Sequence, residues 1–124
     1  MTQPLALIFY QRIMPGSQVL NRLQDLGYRT QHISDPQILI ECVEREKPLL
    51  LVADLDSSDQ NICDIIARLK RSDLTRHIPV ISFAADEKTG LQAAALQSGS
   101  NLAVGDTAIT NHLTQLLEQA LQIE

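Results

Sequence analysis

The amino-acid sequence predicts an α/β fold in which a parallel five-stranded sheet is covered by helices on both faces. Five short apolar runs alternate with segments of helical periodicity, and continuous apolar runs are typical of strands that are buried on both sides. The connections between runs and helices are only a few residues long, as in repeated strand–helix units. A chain of 124 residues has room for five such units in a single domain.

The strands are predicted at residues 5–9, 28–33, 49–53, 78–83 and 102–104. The second run alone mixes charged and polar residues with apolar ones, which is typical of an edge strand with one wetter side. We therefore expect a flavodoxin-like (βα)5 sandwich of three layers with strand order 2-1-3-4-5.

Helices are predicted around residues 19–26, 36–43, 62–69, 93–96 and 109–120. The clearest has apolar residues at positions 62, 65, 66 and 69, which form one stripe on a helix. Asp35 is expected to cap the second helix, and Asp106 or Thr107 to cap the last. Gly27 and Gly99 are expected to end the first and fourth helices.

The composition limits the classes of binding partner and the cellular compartment that we expect for this chain. The net charge of -5 and the aromatic content of 3% argue against a partner made of nucleic acid and against an anionic membrane surface. No basic cluster precedes the apolar run at residues 5–10 and no small-residue cleavage signature follows it, so we expect neither secretion nor membrane insertion. Cys42 and Cys63 lie far apart in apolar segments, so we expect two buried thiols in a protein of the reducing cytoplasm.

One carboxylate stands where ligands bind in such sheets, at the carboxyl ends of strands one and three. Asp54 follows the third strand, where it can accept a phosphoryl group or bind a hard cation. The plainer alternative is a turn carboxylate that caps backbone N–H groups in the following loop, with Gln11 as a hydrogen-bond partner.

Two stretches, KPLLLVADL at residues 47–55 and RHIPVI at residues 76–81, resemble the receiver domains of two-component response regulators. The LGY of residues 26–28 and the SGSN of residues 98–101 extend this resemblance over nearly the whole chain. It implies a CheY-like fold and a stand-alone signalling module, a single receiver-like domain over residues 1–124 without an effector domain. Such a module is not an enzyme.

The resemblance also implies positions for a phosphorylation site. The phosphoacceptor falls on Asp54. The acidic pair that binds Mg²⁺ in receivers falls on Tyr10 and Gln11, the hydroxyl position on Ala84, and the lysine position on Asp106. Only the acceptor is retained, so the chain is expected to be a degenerate pseudo-receiver. We expect no catalytic residue and no metal site, with Mg²⁺ binding weak or absent.

A pseudo-receiver is expected to act by protein contact through its fourth helix, fifth strand and last helix, independently of phosphorylation. This face comprises residues 89–97, 101–104 and 111–122, with glutamines at 92, 97, 115, 119 and 122. The expected partner is a sensor kinase, another signalling protein or a second copy of the chain. Two alternatives stay open: phosphorylation of Asp54 by a histidine kinase, and binding of a small ligand or cation at the ends of strands one and three, near the Tyr10 ring.

Overall fold

Five parallel strands form one sheet in the computed structural model, which describes residues 3–56 and 61–121. The strands are β1 (Leu5–Phe9), β2 (Arg29–Ile33), β3 (Leu50–Asp54), β4 (Val80–Ala84) and β5 (Leu102–Gly105). Their order is β2-β1-β3-β4-β5, and every neighbouring pair is parallel. The predicted fold class and strand order are therefore confirmed.

Helices cover both faces of this sheet. They are α1 (Ile13–Asp25), a short 3₁₀ helix (Pro36–Ile38), α2 (Leu39–Glu46), α3 (Ile62–Arg71), α4 (Thr89–Ser98), α5 (Asp106–Asn111) and α6 (Leu113–Leu121). None of the helices in the described part of the chain is long and apolar enough to cross a membrane.

Two apolar clusters separate the layers. Buried residues of α2, α3 and α4 pack on one face of the sheet, together with Leu51 and Ala53 of β3. Residues of α1, α5 and α6 pack on the other face, together with Leu50 and Val52. Because side chains alternate along a strand, Asp54 at the end of β3 points to the same side as Val52.

The edge strand β2 and the two cysteines are as predicted, whereas β5 is less buried than its apolar run predicted. The strand β2 lies at one edge of the sheet and is only partly buried, whereas every residue of β1, β3 and β4 is buried. The other edge strand, β5, is half-buried along its length. Cys42 and Cys63 are both buried and free.

Three strands begin later than predicted, and two of the shifts have a clear physical reason. Tyr28 stays outside β2 because its N–H donates to the Leu23 carbonyl at 3.0 Å and closes the end of α1, with Gly27 at a φ of 95°. Pro79 precedes β4 because proline has no N–H to donate to a sheet. The strand β3 starts at Leu50 and extends one residue further, to Asp54.

The expected cap of the last helix was wrong. Gly105 is the capping residue, while Asp106 and Thr107 already lie inside α5. The acceptor comes instead from the loop after β4: an Asp86 carboxylate oxygen accepts from the Thr107 N–H at 3.0 Å, and Asp86 also accepts from the Thr107 hydroxyl. At the second helix, by contrast, Asp35 caps as predicted and accepts from the Gln37 N–H at 2.9 Å.

The last helix is also broken, whereas one continuous helix was predicted. The break lies at His112, between α5 and α6. The Thr110 hydroxyl donates to the backbone carbonyls of Asp106 and Thr107, and such side-chain bonds compete with the regular helical pattern.

The contact between Gly16 and the Tyr10 ring gives a test of this packing. A Cβ at Gly16 would overlap the buried ring of Tyr10, so we expect Gly16→Ala to lower the free energy of unfolding by about 1–3 kcal/mol, as overpacked sites do. Gly90 is the matched control, because a Cβ there meets nothing within 4 Å. Gly90→Ala should stabilise α4 by about 0.5 kcal/mol. Urea unfolding measures both, and equal effects of the two variants would contradict the packing described.

Candidate functional site

The carboxyl ends of the strands bring four of the five predicted site residues to one edge of the sheet. Tyr10 is the first residue after β1, Asp54 ends β3, Ala84 ends β4, and Asp106 directly follows β5. The fifth, Gln11, lies in the loop between β1 and α1. This is the edge at which parallel α/β sheets bind ligands.

Asp54 is held by an arginine that the sequence analysis did not single out. Arg12 Nε lies 2.9 Å from one Asp54 oxygen, and Arg12 Nη2 lies 2.9 Å from the other. The Asp54 side chain has no exposed surface, and that of Arg12 is 28% exposed. Two parallel N–H donors on one carboxylate form the strongest type of charge-assisted pair in proteins.

The same guanidinium also pairs with Asp106, through its Nη1 and Nη2 atoms. Arg12 Nη1 donates to one Asp106 oxygen at 3.0 Å, and Nη2 donates to the other at 3.1 Å. A third carboxylate, that of Asp56, lies 3.8 Å from Nη1. One cation therefore neutralises carboxylates at the end of β3 and at the start of α5, although the chain separates Arg12 from Asp106 by 94 residues.

Neighbouring groups shift the pKa values of two charged side chains at this edge. The hydrogen bonds to Asp54 are the largest effect on Arg12, and with those to Asp106 they raise its pKa above the ordinary value despite the opposing effect of burial. For Asp56, burial is the largest single effect and raises the pKa. The bonds from Lys88 and the Ala85 N–H, together with the charge of Arg12, outweigh it and leave the pKa below the ordinary 3.8.

Asp56 connects the site to the loop between β4 and α4. One carboxylate oxygen accepts from the Ala85 N–H at 3.2 Å, and the other pairs with the Lys88 ammonium group. The backbone N–H of Asp56 donates in turn to Asp54 at 2.9 Å. Together with the bonds of Arg12, these bonds join the loops after β1, β3 and β4 and the start of α5 at one edge.

Tyr10 and Gln11 make contacts with other residues of this edge. The Tyr10 ring is buried, stacks on His32 with 3.8 Å between the ring centroids, and packs on Gly16. Gln11 Nε2 donates to the Ser34 carbonyl at 2.9 Å. The cation that pairs with Asp54 is thus supplied by the next residue, Arg12.

The end of β4 presents no hydroxyl to Asp54. Ala84 is fully buried and has no donor in its side chain. Ser82, two residues earlier, is also fully buried, and its hydroxyl lies 2.9 Å from that of Ser100 and donates to the Leu102 carbonyl. These bonds tie β4 to β5.

A signal for Arg12 was present in the sequence. Asp106 places a carboxylate in the neighbourhood of Asp54, and two adjacent carboxylates at a partly buried site require a cation between them. Arg12 is the first cation that follows a strand at this edge.

No protein-family model and no curated protein matches the sequence. Solved structures do match over almost the whole chain. A candidate response regulator from Chloroflexus aurantiacus superposes with a TM-score of 0.88 at 15% sequence identity, covering 97% of this chain and 98% of the other. The chemotaxis response regulator CheY4 of Vibrio cholerae gives 0.83 at 13% identity, with 97% and 100% covered.

The receiver domain of a sensor histidine kinase from Pseudomonas aeruginosa gives a TM-score of 0.84 at 18% identity, with 96% of this chain and 98% of that one covered. That structure has a magnesium ion coordinated in its active site cleft. The chain therefore has the fold of response regulator receiver domains.

The residues of this chain do not fit a magnesium ion at the corresponding edge. Mg²⁺ requires several oxygen ligands in octahedral geometry, but both Asp54 oxygens and both Asp106 oxygens already accept from Arg12. Among residues 3–56 and 61–121, no group of three or more His, Cys, Asp or Glu side chains is arranged to hold a metal.

Replacement of Arg12 tests how much the site depends on it. Arg12→Ala leaves the buried Asp54 carboxylate without its cation, and removing one partner of such a pair costs about 3 kcal/mol or more. We expect that loss in the free energy of unfolding, measured by urea denaturation. Arg22→Ala is the matched control, since it removes the same charge from an exposed position on α1 and should cost well under 1 kcal/mol. Equal losses would show that net charge, and not the pairing, is responsible.

Proposed function

We propose that this chain is a receiver-like signalling module of a two-component or phosphorelay type system that acts by protein contact and does not depend on phosphorylation. The observation that carries the proposal is the bidentate pairing of Arg12 with Asp54. An aspartate that attacks a phosphorus atom needs an oxygen that the phosphoryl donor can reach, and the Asp54 side chain has no exposed surface. Here each oxygen accepts a hydrogen bond from a guanidinium.

The other groups around Asp54 support the same proposal. Transfer of a phosphoryl group to a carboxylate is stabilised by cations and donors that face the developing negative charge. In the position that we assign to the receiver lysine, Asp106 adds a carboxylate, and at the hydroxyl position Ala84 adds no donor. Arg12 is the nearest cation, and it is already shared between Asp54 and Asp106.

The two remaining alternatives, phosphorylation and the binding of a small ligand or cation, also depend on the oxygens of Asp54. Phosphorylation of Asp54 requires Arg12 to release at least one oxygen and to stay near as the counter-ion of the phosphoryl group. Binding of a small ligand or cation between β1 and β3 requires the Asp54 oxygens as well. In the structure both Asp54 oxygens accept hydrogen bonds from Arg12, which supports neither alternative.

Incubation with acetyl phosphate and Mg²⁺, followed by intact-mass spectrometry, tests the proposal. We expect no phosphoryl adduct on the wild-type chain under conditions in which a phosphorylatable receiver is fully modified. Asp54→Asn is the matched variant that identifies the position of any adduct. An adduct on the wild type that is lost in Asp54→Asn would show that Asp54 is phosphorylated, and it would overturn the proposal that the chain acts independently of phosphorylation.

The surface that we assign to protein contact is poor in charge. Between Thr89 and Leu121 the sequence contains only two charged residues, Asp106 and Glu118, and Asp106 is paired with Arg12. We call the exposed part of α4, β5 and α6 the charge-poor face. Of the predicted contact residues, Gln122 lies outside the described part of the chain.

The fold places these three elements side by side. The edge strand β5 lies between α4 on one face of the sheet and α5 and α6 on the other, and its residues are half-buried. Depletion of charge is typical of the centre of a protein interface. Because each copy carries a net charge of -5, two copies repel least where charges are fewest. A second copy is therefore the partner that we propose for this face.

Two exposed leucines provide a matched test of self-association. Leu96 lies on α4 and is 50% exposed, while Leu74 is 60% exposed and lies outside the charge-poor face. We expect the wild type to form dimers with rising concentration in sedimentation equilibrium. Leu96→Glu should weaken this by at least about tenfold, because an unpaired carboxylate is costly to bury, whereas Leu74→Glu should not. A wild type that stays monomeric, or equal effects of the two variants, would contradict the proposed dimer.

A further inference from the structure

The misfit between this site and a magnesium ion has a specific cause, the guanidinium of Arg12. Its three nitrogen atoms make four hydrogen bonds to the Asp54 and Asp106 carboxylates, between 2.9 and 3.1 Å in length. Asp56 lies 3.8 Å from Nη1. Three carboxylates thus surround one cation that is covalently part of the chain.

We propose that Arg12 is a built-in substitute for a divalent cation at this edge, so that the chain needs no metal ion to neutralise its clustered carboxylates. This inference deepens the proposed function and rests on the same pairing of Arg12 with Asp54. It concerns a different property, namely the response of the fold to metal ions.

The charge balance at the edge supports this role. Asp54 is fully buried, and the Asp56 and Asp106 side chains are 12% and 27% exposed. Three neighbouring carboxylates with so little access to water repel one another strongly unless a cation lies between them. Lys88 contributes one further positive charge, but it contacts Asp56 from the outer side of the cluster, at an exposed position.

The position of Arg12 in the fold also supports it. Arg12 is the residue that caps the start of α1, with extended backbone angles. Its side chain crosses from the loop after β1 to the end of β3 and the start of α5. In the Pseudomonas aeruginosa receiver domain of the same fold, a magnesium ion is coordinated in the active site cleft. A tethered guanidinium joins the carboxylates without an external ion, and the charge is present at every metal concentration.

Removal of the guanidinium should therefore make the chain respond to divalent cations. In Arg12→Ala the Asp54 and Asp106 carboxylates keep their places at the ends of β3 and β5, and Mg²⁺ is commonly held by one or two carboxylates together with several waters. An ion that binds only the folded state raises the melting temperature. For Arg12→Ala we expect a saturable rise of at least about 4 °C with MgCl2, relative to NaCl of equal ionic strength.

Thermal unfolding of the wild type and a set of variants tests this inference. The wild type and Arg22→Ala should show no saturable change with MgCl2, CaCl2 or MnCl2, because both retain Arg12. Arg12→Ala should show the rise, and Arg12→Ala combined with Asp106→Asn should lose it. If Arg12→Ala does not fold, Arg12→Gln takes its place, since the longer amide side chain fills part of the space without a charge.

Two results would overturn the inference. One is a saturable rise in the wild type that is lost in Asp54→Asn, since an ion would then bind in spite of Arg12. The other is a folded Arg12 variant that does not respond to any of the three ions. Neither result bears on phosphorylation, which is measured by the mass of the acetyl phosphate product, so the failure of one proposal is distinguishable from the failure of the other.

Discussion

The pairing of Arg12 with Asp54 is the interaction on which the rest of the site depends. The topology places Asp54 at the end of a central strand, and its side chain is completely buried. A buried carboxylate without a partner is costly, so a cation must reach it from a neighbouring loop. Because the cation is a guanidinium with donors on several sides, it also holds Asp106 and thereby fixes the start of α5.

Most of the fold could be predicted because its signals are local. An apolar run of about five residues indicates a strand that is buried on both sides, and the stripe at positions 62, 65, 66 and 69 indicates a helix that faces a sheet. The strand order follows from the few ways in which short right-handed connections can join such units. Apart from the break at His112 in the last helix, the differences lie at the ends of elements. A missing N–H at Pro79 delays β4, and the Tyr28 N–H is used to close α1.

The part of the site that could not be predicted depends on distances between residues remote in sequence. The position of Asp54 follows from the strand that it ends. That Arg12 spans Asp54 and Asp106 depends on where the loop after β1 and the start of α5 meet in space. The cap of α5 has the same origin, because its acceptor is Asp86, from another loop. In both cases residue type and local pattern are compatible with several partners, and only tertiary structure selects one.

The sharing of one guanidinium between two carboxylates also limits how this sequence can change over time. A lysine at position 106 would face Arg12 with a like charge, and loss of Arg12 alone would leave two carboxylates unbalanced. Each of these single changes is therefore expected to be destabilising, and their combined effect is not expected to equal the sum of the two, since residues in one network have non-additive effects. Arg12, Asp54 and Asp106 are therefore expected to change together and not one at a time.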